Sequence, residues 1–417
     1  MRMANRNPTR LGIVAWTVFL ACLLCLAPGA AARTKLVVGT WEPIDIWNAT
    51  YGDQMEPFIQ DNPGIDPEVV VIAGHGEFAA KVAVLAATGD LPDVLKIPPE
   101  QVAPLVSGGL FDNLETYIAR DTSFNNRAWL PGAINAMQFQ GIMFGFPAYV
   151  VNYTYGYNYE ILADQGIQPP GPEEFVNWTQ IRDIAKRARQ DIDGDGIPEI
   201  WGYHHGTGYT EIIPLIFQAG GRVFDEQALL DIDHPTTYEG LNWLLDMTAE
   251  TIQGGSAGEF WQRKVATRRV GSWEMKNILQ ADTPVGVAGG IEHRVRTDMA
   301  YVTSFAITRG SKAKDEAWRF LKYVTSKEAQ QFIPPEGLAP MRRDVTLVEP
   351  YRNMLLGFIS SVSYSTPYPY HVYSHYVEST VNGTMGAVWN RDKTPEAVIP
   401  ELQRTINAYL LEQMKSM

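Results

Sequence analysis

Residues 68–97 read EVVVIAGHGEFAAKVAVLAATGDLPDVLKI. The β-branched run from Glu68 to Ala73 fits a strand, and Gly74-His75-Gly76 supplies the backbone freedom of a turn. From Phe78 to Thr88 the period changes, placing Val82, Leu85 and Ala86 on one helical face. Asp93-Val94-Leu95-Lys96-Ile97 returns to strand character. Strand, helix and strand in so short a span make a βαβ unit with a right-handed crossover.

Working outward, Leu36-Val37-Val38-Gly39-Thr40-Trp41 predicts an earlier strand. Gln54 to Gln60 predicts a helix stopped by Asn62-Pro63-Gly64, and Gln101 to Val106 another that leads to Gly108-Gly109. The alternation predicts an α/β fold with a mainly parallel sheet covered on both faces. Gly145 to Tyr155 is an extended aromatic run too rich in β-formers for a helix, and marks the first passage out of this unit. Residues 173–189 return to helical spacing, with Pro172, Glu173 and Glu174 suited to a first turn. Ala300 to Ile307 predicts a strand, Lys314 to Thr325 a helix, and Glu336-Gly337-Leu338-Ala339-Pro340 a break. From residue 342 the pattern is mostly helical and closes with Val398 to Leu411.

The chain has 417 residues, more than a single core sustains, so two lobes are expected. With 45% apolar and 19% charged residues it is neither a disordered tail nor a small disulfide scaffold. Arg2, Arg6 and Arg10 precede an uncharged run from Leu11 to Ala32, which predicts a cleavable leader over residues 1–32. A retained anchor is the alternative, against which Pro28-Gly29-Ala30 speaks; lipid attachment at Cys22 is another, against which Phe19 speaks. Cys22 and Cys25 both lie in the leader, so the exported part has neither disulfides nor catalytic thiols. Losing three arginines and no acids changes the formal charge from −13 to −16. Such an acidic protein makes a poor partner for nucleic acid. An exported protein, periplasmic or extracellular, is expected.

Enzyme signatures are thin. No G-x-S-x-G elbow and no H-E-x-x-H helix is present. Gly74-His75-Gly76-Glu77-Phe78-Ala79 matches a dinucleotide fingerprint, but it follows the second strand and reads as a plain turn or polar-ligand loop. Asp191, Asp193, Asp195 and Glu199 have the spacing of a short calcium loop closed at its ninth position. They equally have the composition of a solvated turn. An EF-hand is excluded because Gly202 stands where its closing glutamate belongs. No cofactor is required, and structural Ca2+ is the one candidate.

The order of several motifs resembles the extracellular solute-binding proteins of ABC importers, and within them the carbohydrate-binding family that includes maltose-binding proteins. These motifs are Ala86 to Val94, Gly108 to Leu114, Gly145-Phe146-Pro147 with Tyr157-Asn158, Gly166 to Pro170, and Gln218 to Gly221. Arg269-Val270-Gly271-Ser272-Trp273 and the Ala317 to Leu321 helix before Gly337 to Pro340 complete the series. The chain departs from that family at Gly171-Pro172 and at Arg263, Lys264 and Thr267.

The resemblance implies two α/β lobes of the type II binding-protein fold, joined by three hinge crossings near residues 148–152, 300–306 and 336–341. Lobe one would comprise 33–149 with 306–338, and lobe two 150–305 with 339–417. It implies a monomeric receptor that captures a sugar in the interlobe cleft and passes it to the transmembrane subunits of a permease. An exported carbohydrate-active enzyme using two carboxylates is the alternative, as is a receptor for a non-sugar solute. From the motif match the ligand-binding candidates are Trp41, Glu77, Asp93 and Tyr149 from lobe one and the first crossing. Tyr209, Trp273, Glu274 and Tyr370 are those from lobe two. Flat aromatic faces and planar hydrogen-bonding groups suit sugar rings and hydroxyls.

Overall fold

A computed structural model of the chain describes residues 33–416, except for 125, 281–283, 332, 334–337 and 347–351. The expected leader, with Cys22 and Cys25, lies outside the described residues. Nine strands form the main sheet. They are β1 (Thr34–Thr40), β2 (Ile65–Val71), β3 (Val94–Ile97), β4 (Phe146–Asn158), β5 (Trp201–His204), β6 (Val265–Gly271), β7 (Val285–Val287), β8 (Met299–Ile307) and β9 (Thr366–Pro367). The order is β2-β1-β3-β8-β4-β6-β5, with β7 beside β4 and β9 beside β8.

Two α/β units meet in this sheet. In the first, β2, β1 and β3 run parallel, connected through α1 (Asp53–Asp61) and α2 (Phe78–Thr88). Helix α2 buries Phe78 and Val82 and stops at Gly89, whose φ of +81° lets the following amides reach the Leu85 and Ala86 carbonyls. In the second unit β5 and β6 run parallel, flanked by α3 (Trp178–Ala188), α4 (Tyr209–Gln218) and α5 (Pro235–Ala249). Between the units the sheet is antiparallel: β8 pairs with β3 and β4, and β4 with β6. The sheet is therefore mixed rather than mainly parallel, because two long strands run the length of both units in opposite directions.

At about 3.3 Å per residue, the 13 residues of β4 reach roughly 43 Å, long enough to serve two cores. Phe146, Ala148 and Val150 belong to the core of lobe one with Leu36, Phe78, Val94, Phe305 and, on α6 (Lys314–Val324), Phe320. Tyr155 and Tyr157 belong to a lobe-two core with Trp178, Ile181 and Ala266. Strand β8 divides likewise: Val302, Phe305 and Ile307 face the first core, while Met299 and Tyr301 face a core built on α4, α7 (Ser374–Trp389) and α8 (Pro395–Ser416). The β4–β8 register shifts between Thr303 and Ser304.

Two further expectations need correction. The helix expected over 173–189 begins only at Trp178; Phe175–Asn177 is a short strand paired parallel with Gly290–Glu292. Asn177 and Gln180 form a capping box that fixes the true start, so Pro172 does not. The third crossing also falls later than 336–341. Ala339 bridges Val150, Met341 lies in the core of lobe one, and the Arg343 amide donates to the Ala128 carbonyl, so the chain is still with lobe one at Arg343. It is with lobe two at Met354 and Leu355.

Candidate functional site between the lobes

A cavity of about 430 Å³ opens between the two lobes. Lobe one supplies His75, Gly76 and Ala79 from the start of α2, with Glu100, Gln101 and Pro104 beyond β3. Lobe two supplies Thr210 from α4 and His375, Glu378, Ser379 and Asn382 from α7. Both walls come from segments that follow strand ends or begin helices, where an open α/β sheet places its ligands.

The lobe-one wall is rigid. Gln101 accepts from the Ala79 amide and donates to the His75 carbonyl, capping α2 from a distant segment. The Ala79 amide at the end of the fingerprint-like loop is thus already used, while His75 and Gly76 of that loop line the cavity. His75 Nε2 lies 3.2 Å from Glu100 Oε2, and that hydrogen bond outweighs burial in raising the imidazole pKa. Behind this wall, Lys96 is fully buried and paired with Glu42, whose second oxygen accepts from the Tyr149 hydroxyl at 2.7 Å. The Lys96 ammonium stands 4.7–5.5 Å from the ring centres of Trp41, Trp47, Tyr51 and Tyr149. Burial lowers its pKa, with Glu42 opposing.

Of the expected lobe-one residues, Trp41 sits over this cluster with its ring edge-on to His75 at 6.2 Å. Tyr149 is buried with its hydroxyl spent on Glu42. Glu77 is exposed beside the lining residue Gly76. Asp93 is a correction. It precedes β3 at the opposite end from the cavity, and its two oxygens accept from the Val37 amide at 2.9 Å and the Ser311 hydroxyl at 2.6 Å. It ties strands together rather than facing the cleft.

In lobe two a column of contacts rises from the core. Asp298 and Glu211 both pair with the buried Arg269, whose guanidinium lies 3.9 Å from the centre of the Tyr153 ring. Burial opposes that charge, but the two carboxylates outweigh it and hold Arg269 protonated. Tyr153 meets Trp273 edge-on at 4.9 Å, and Trp273 is 45% exposed. Its ring folds over Gly271, where an added Cβ would lie 2.4 Å from a ring carbon, so glycine is required there. Glu274 is engaged structurally: it forks onto Arg268 at 2.9 and 3.1 Å and accepts from the Gly271 amide, fixing the turn that presents Trp273. Tyr209 is buried, and its amide donates to Asn382. Tyr370 packs against both cores and donates to the Ala136 carbonyl at 3.3 Å, acting as a strut between lobes.

None of the eight expected residues lines the cavity itself; Gly76 and Thr210, the neighbours of Glu77 and Tyr209, do. Glu100 and the α7 group were missed. The latter was legible as a polar stripe: His375, Glu378, Ser379 and Asn382 follow i, i+3, i+4, i+7, opposite buried Val377, Val381, Met385 and Val388.

Under the Arg269 column, His205 is buried, with Nδ1 3.0 Å from the Tyr203 hydroxyl and Nε2 3.1 Å from the Glu211 carbonyl. One neutral tautomer satisfies both, accepting at Nδ1 and donating at Nε2. Burial lowers its pKa to about 4, so between pH 4 and 6.5 the unfolded chain binds the proton that the folded chain refuses. Stability from this residue is therefore lost as pH falls through that window, by about 3 kcal/mol in total. Urea unfolding at pH 7 and pH 4.5 should show this loss, and it should shrink in His205→Gln.

The Asp191–Glu199 loop lies in lobe two, away from the cavity. Carboxylate oxygens of Asp191, Asp193 and Asp195 come within 4.8 Å of one another. Glu199 is outside that trio and accepts from the Ile192 amide at 2.6 Å. Asp191 accepts from Gly194 and Gly196, Asp193 from Asp195, and Asp195 from Ile197. Gly202 lies in β5, where a Cβ would stand 1.9 Å from the Ala185 carbonyl oxygen, which explains why no closing glutamate stands there. Thermal unfolding in calcium against chelator separates the two sequence readings. A rise abolished by Asp193→Asn identifies a cation loop, and no rise identifies a solvated turn.

The profile described as bacterial extracellular solute-binding protein matches residues 47–331. The chain belongs to that family. Its members are binding proteins, extracellular or periplasmic, and among the described residues no helix is long and apolar enough to cross a membrane. The chain is 21% identical over 396 residues to a maltotriose-binding protein of Pyrococcus abyssi, covering 89% of this chain and 82% of that one. The sugar-binding protein MalE of Xanthomonas citri superposes with a TM-score of 0.80 at 16% identity, over 91% of this chain and 98% of that one. An ABC substrate-binding protein of Listeria monocytogenes in complex with cycloalternan gives 0.75 at 19% identity, over 91% and 99%. These likenesses place the solute-binding protein in the two-lobed binding-protein fold, with β4 and β8 as its paired hinge strands.

Proposed function

We propose that this solute-binding protein is the sugar-receiving component of an ABC importer, exported from the cytoplasm, which holds a saccharide between its lobes and delivers it chemically unaltered to a membrane permease. The observation that carries the reading is the cavity walled by both lobes over two continuous hinge strands. A ligand that touches both walls only when they approach shifts the population toward the closed form. The sugar-binding names of the similar proteins support the choice of ligand class. A thermal-shift series over mono- and oligosaccharides tests it: a ligand bound only by the folded state raises the unfolding temperature, and at 100 times Kd adds about 2.7 kcal/mol. A flat response across the series overturns the reading.

Trp273 lies outside the cavity lining, and we propose that its exposed ring, braced by Tyr153 and Arg269, stacks on a sugar unit that extends beyond that lining. Trp273→Ala should cost about 1–3 kcal/mol of affinity by calorimetry with unfolding unchanged. Undiminished affinity removes it from the site.

The enzyme alternative draws on Glu100 and Glu378, carboxylates on opposite walls of one cavity. Prolonged incubation with a bound oligosaccharide should return it whole; shorter products would favour catalysis.

A further inference from the structure

We propose that the saccharide gripped here carries a basic nitrogen, its ammonium seated between Glu100 of lobe one and Glu378 of lobe two. This rests on the sugar-receptor reading and narrows its ligand class to amino sugars and their oligosaccharides.

Among the described residues the cavity lining contains two carboxylates and no lysine or arginine, and its basic side chains are the imidazoles of His75 and His375. Glu100 has His75 as its partner, whereas Glu378 is partly buried and makes no hydrogen bond or ion pair among the described residues. Burial first, and then the charge of Glu100, raise the Glu378 pKa, with His375 and His75 opposing. The two acids line the same cavity from opposite lobes.

They belong to different lobes, so closure brings like charges together in a space that is losing water. A hydroxyl can donate one hydrogen bond to such a pair but brings no counter-charge to Glu378, whereas Glu100 already has His75. An ammonium turns the same approach from repulsive to attractive and brings three donors. On the same face of α7, Ser379 Oγ, whose proton goes to the Tyr376 carbonyl, can still accept from a neighbouring ring hydroxyl, and Asn382 Nδ2 can donate to one. Closure then depends on the nitrogen: a cationic sugar makes contacts in the closed state that it cannot make in the open one, as selection of that state requires.

Calorimetry on matched sugars at pH 7 tests this. The series glucose, glucosamine and N-acetylglucosamine varies the C2 substituent of one ring, and the series cellobiose, chitobiose and N,N′-diacetylchitobiose varies it on both rings, each on a fixed skeleton. A neutral maltooligosaccharide panel runs alongside. The free amine should bind about 10-fold tighter than its hydroxyl or acetamide counterpart, the scale of one charge-assisted hydrogen bond. Glu378→Gln and Glu100→Gln, with unfolding midpoints checked, should each abolish the preference, the ratio of amine to hydroxyl affinity falling from about 10 to about 1. Neutral sugars binding as tightly as amines, or a preference that survives both variants, overturns the inference and leaves the sugar reading standing. Failure of every sugar to bind overturns both.

Discussion

Arg269→Met is expected to destabilise the protein by about 3–5 kcal/mol, because it strands two buried carboxylates around an absent cation. Asp298 is 1% exposed and Glu211 is largely covered; Arg269 is the ion-pair partner of both. Urea unfolding should show the midpoint falling at an unchanged slope. Because the guanidinium also carries the Tyr153 ring on which Trp273 leans, the folded fraction should bind sugar more weakly. A loss below about 1 kcal/mol would mean that the Met299 amide and the other neighbours satisfy the carboxylates without Arg269, and would contradict this reading.

Lys96→Met should cost a similar amount, about 3–5 kcal/mol, for the same reason in lobe one. The ammonium has no exposed surface, and Glu42 would be left with only the Tyr149 hydroxyl. Here the environment allows a rescue. Trp41, Trp47, Tyr51 and Tyr149 already enclose the position with apolar ring faces, so the Lys96→Met, Glu42→Gln double variant should recover most of the loss. Equal instability of the single and double variants would show that the rings depend on the cation itself rather than on charge balance.

Local period carried the first lobe far. The helix expected from Phe78 to Thr88 has those bounds, and the strand through Asp93 to Ile97 begins one residue later, at Val94. What could not be read was how distant strands meet. Nothing local in Ala300 to Ile307 tells that it runs antiparallel to both β3 and β4, since that pairing is decided by packing across the sheet. At 173–189 the first-turn chemistry of Pro172 and Glu173 competed with the capping box of Asn177 and Gln180, and the latter, which satisfies two amides, fixed the helix start. Among the site candidates, Trp41 follows a strand and stands edge-on to the lining residue His75 without lining the cavity itself. Asp93 misled because a polar residue beside a strand has two ends to choose from, and its amide and hydroxyl partners lie at the far one. Glu42, Lys96 and Arg269 were invisible as a set, because buried ion pairs join charges remote in sequence.

The most direct test of the receptor account is to mix the protein with an equimolar library of neutral and amino oligosaccharides, isolate the complex by gel filtration, and weigh the released compound by mass spectrometry after denaturation. The account predicts one saccharide per protein, with the mass it had in the library. Recovery of no saccharide, or of one whose mass shows a bond cut or a group transferred, would contradict it.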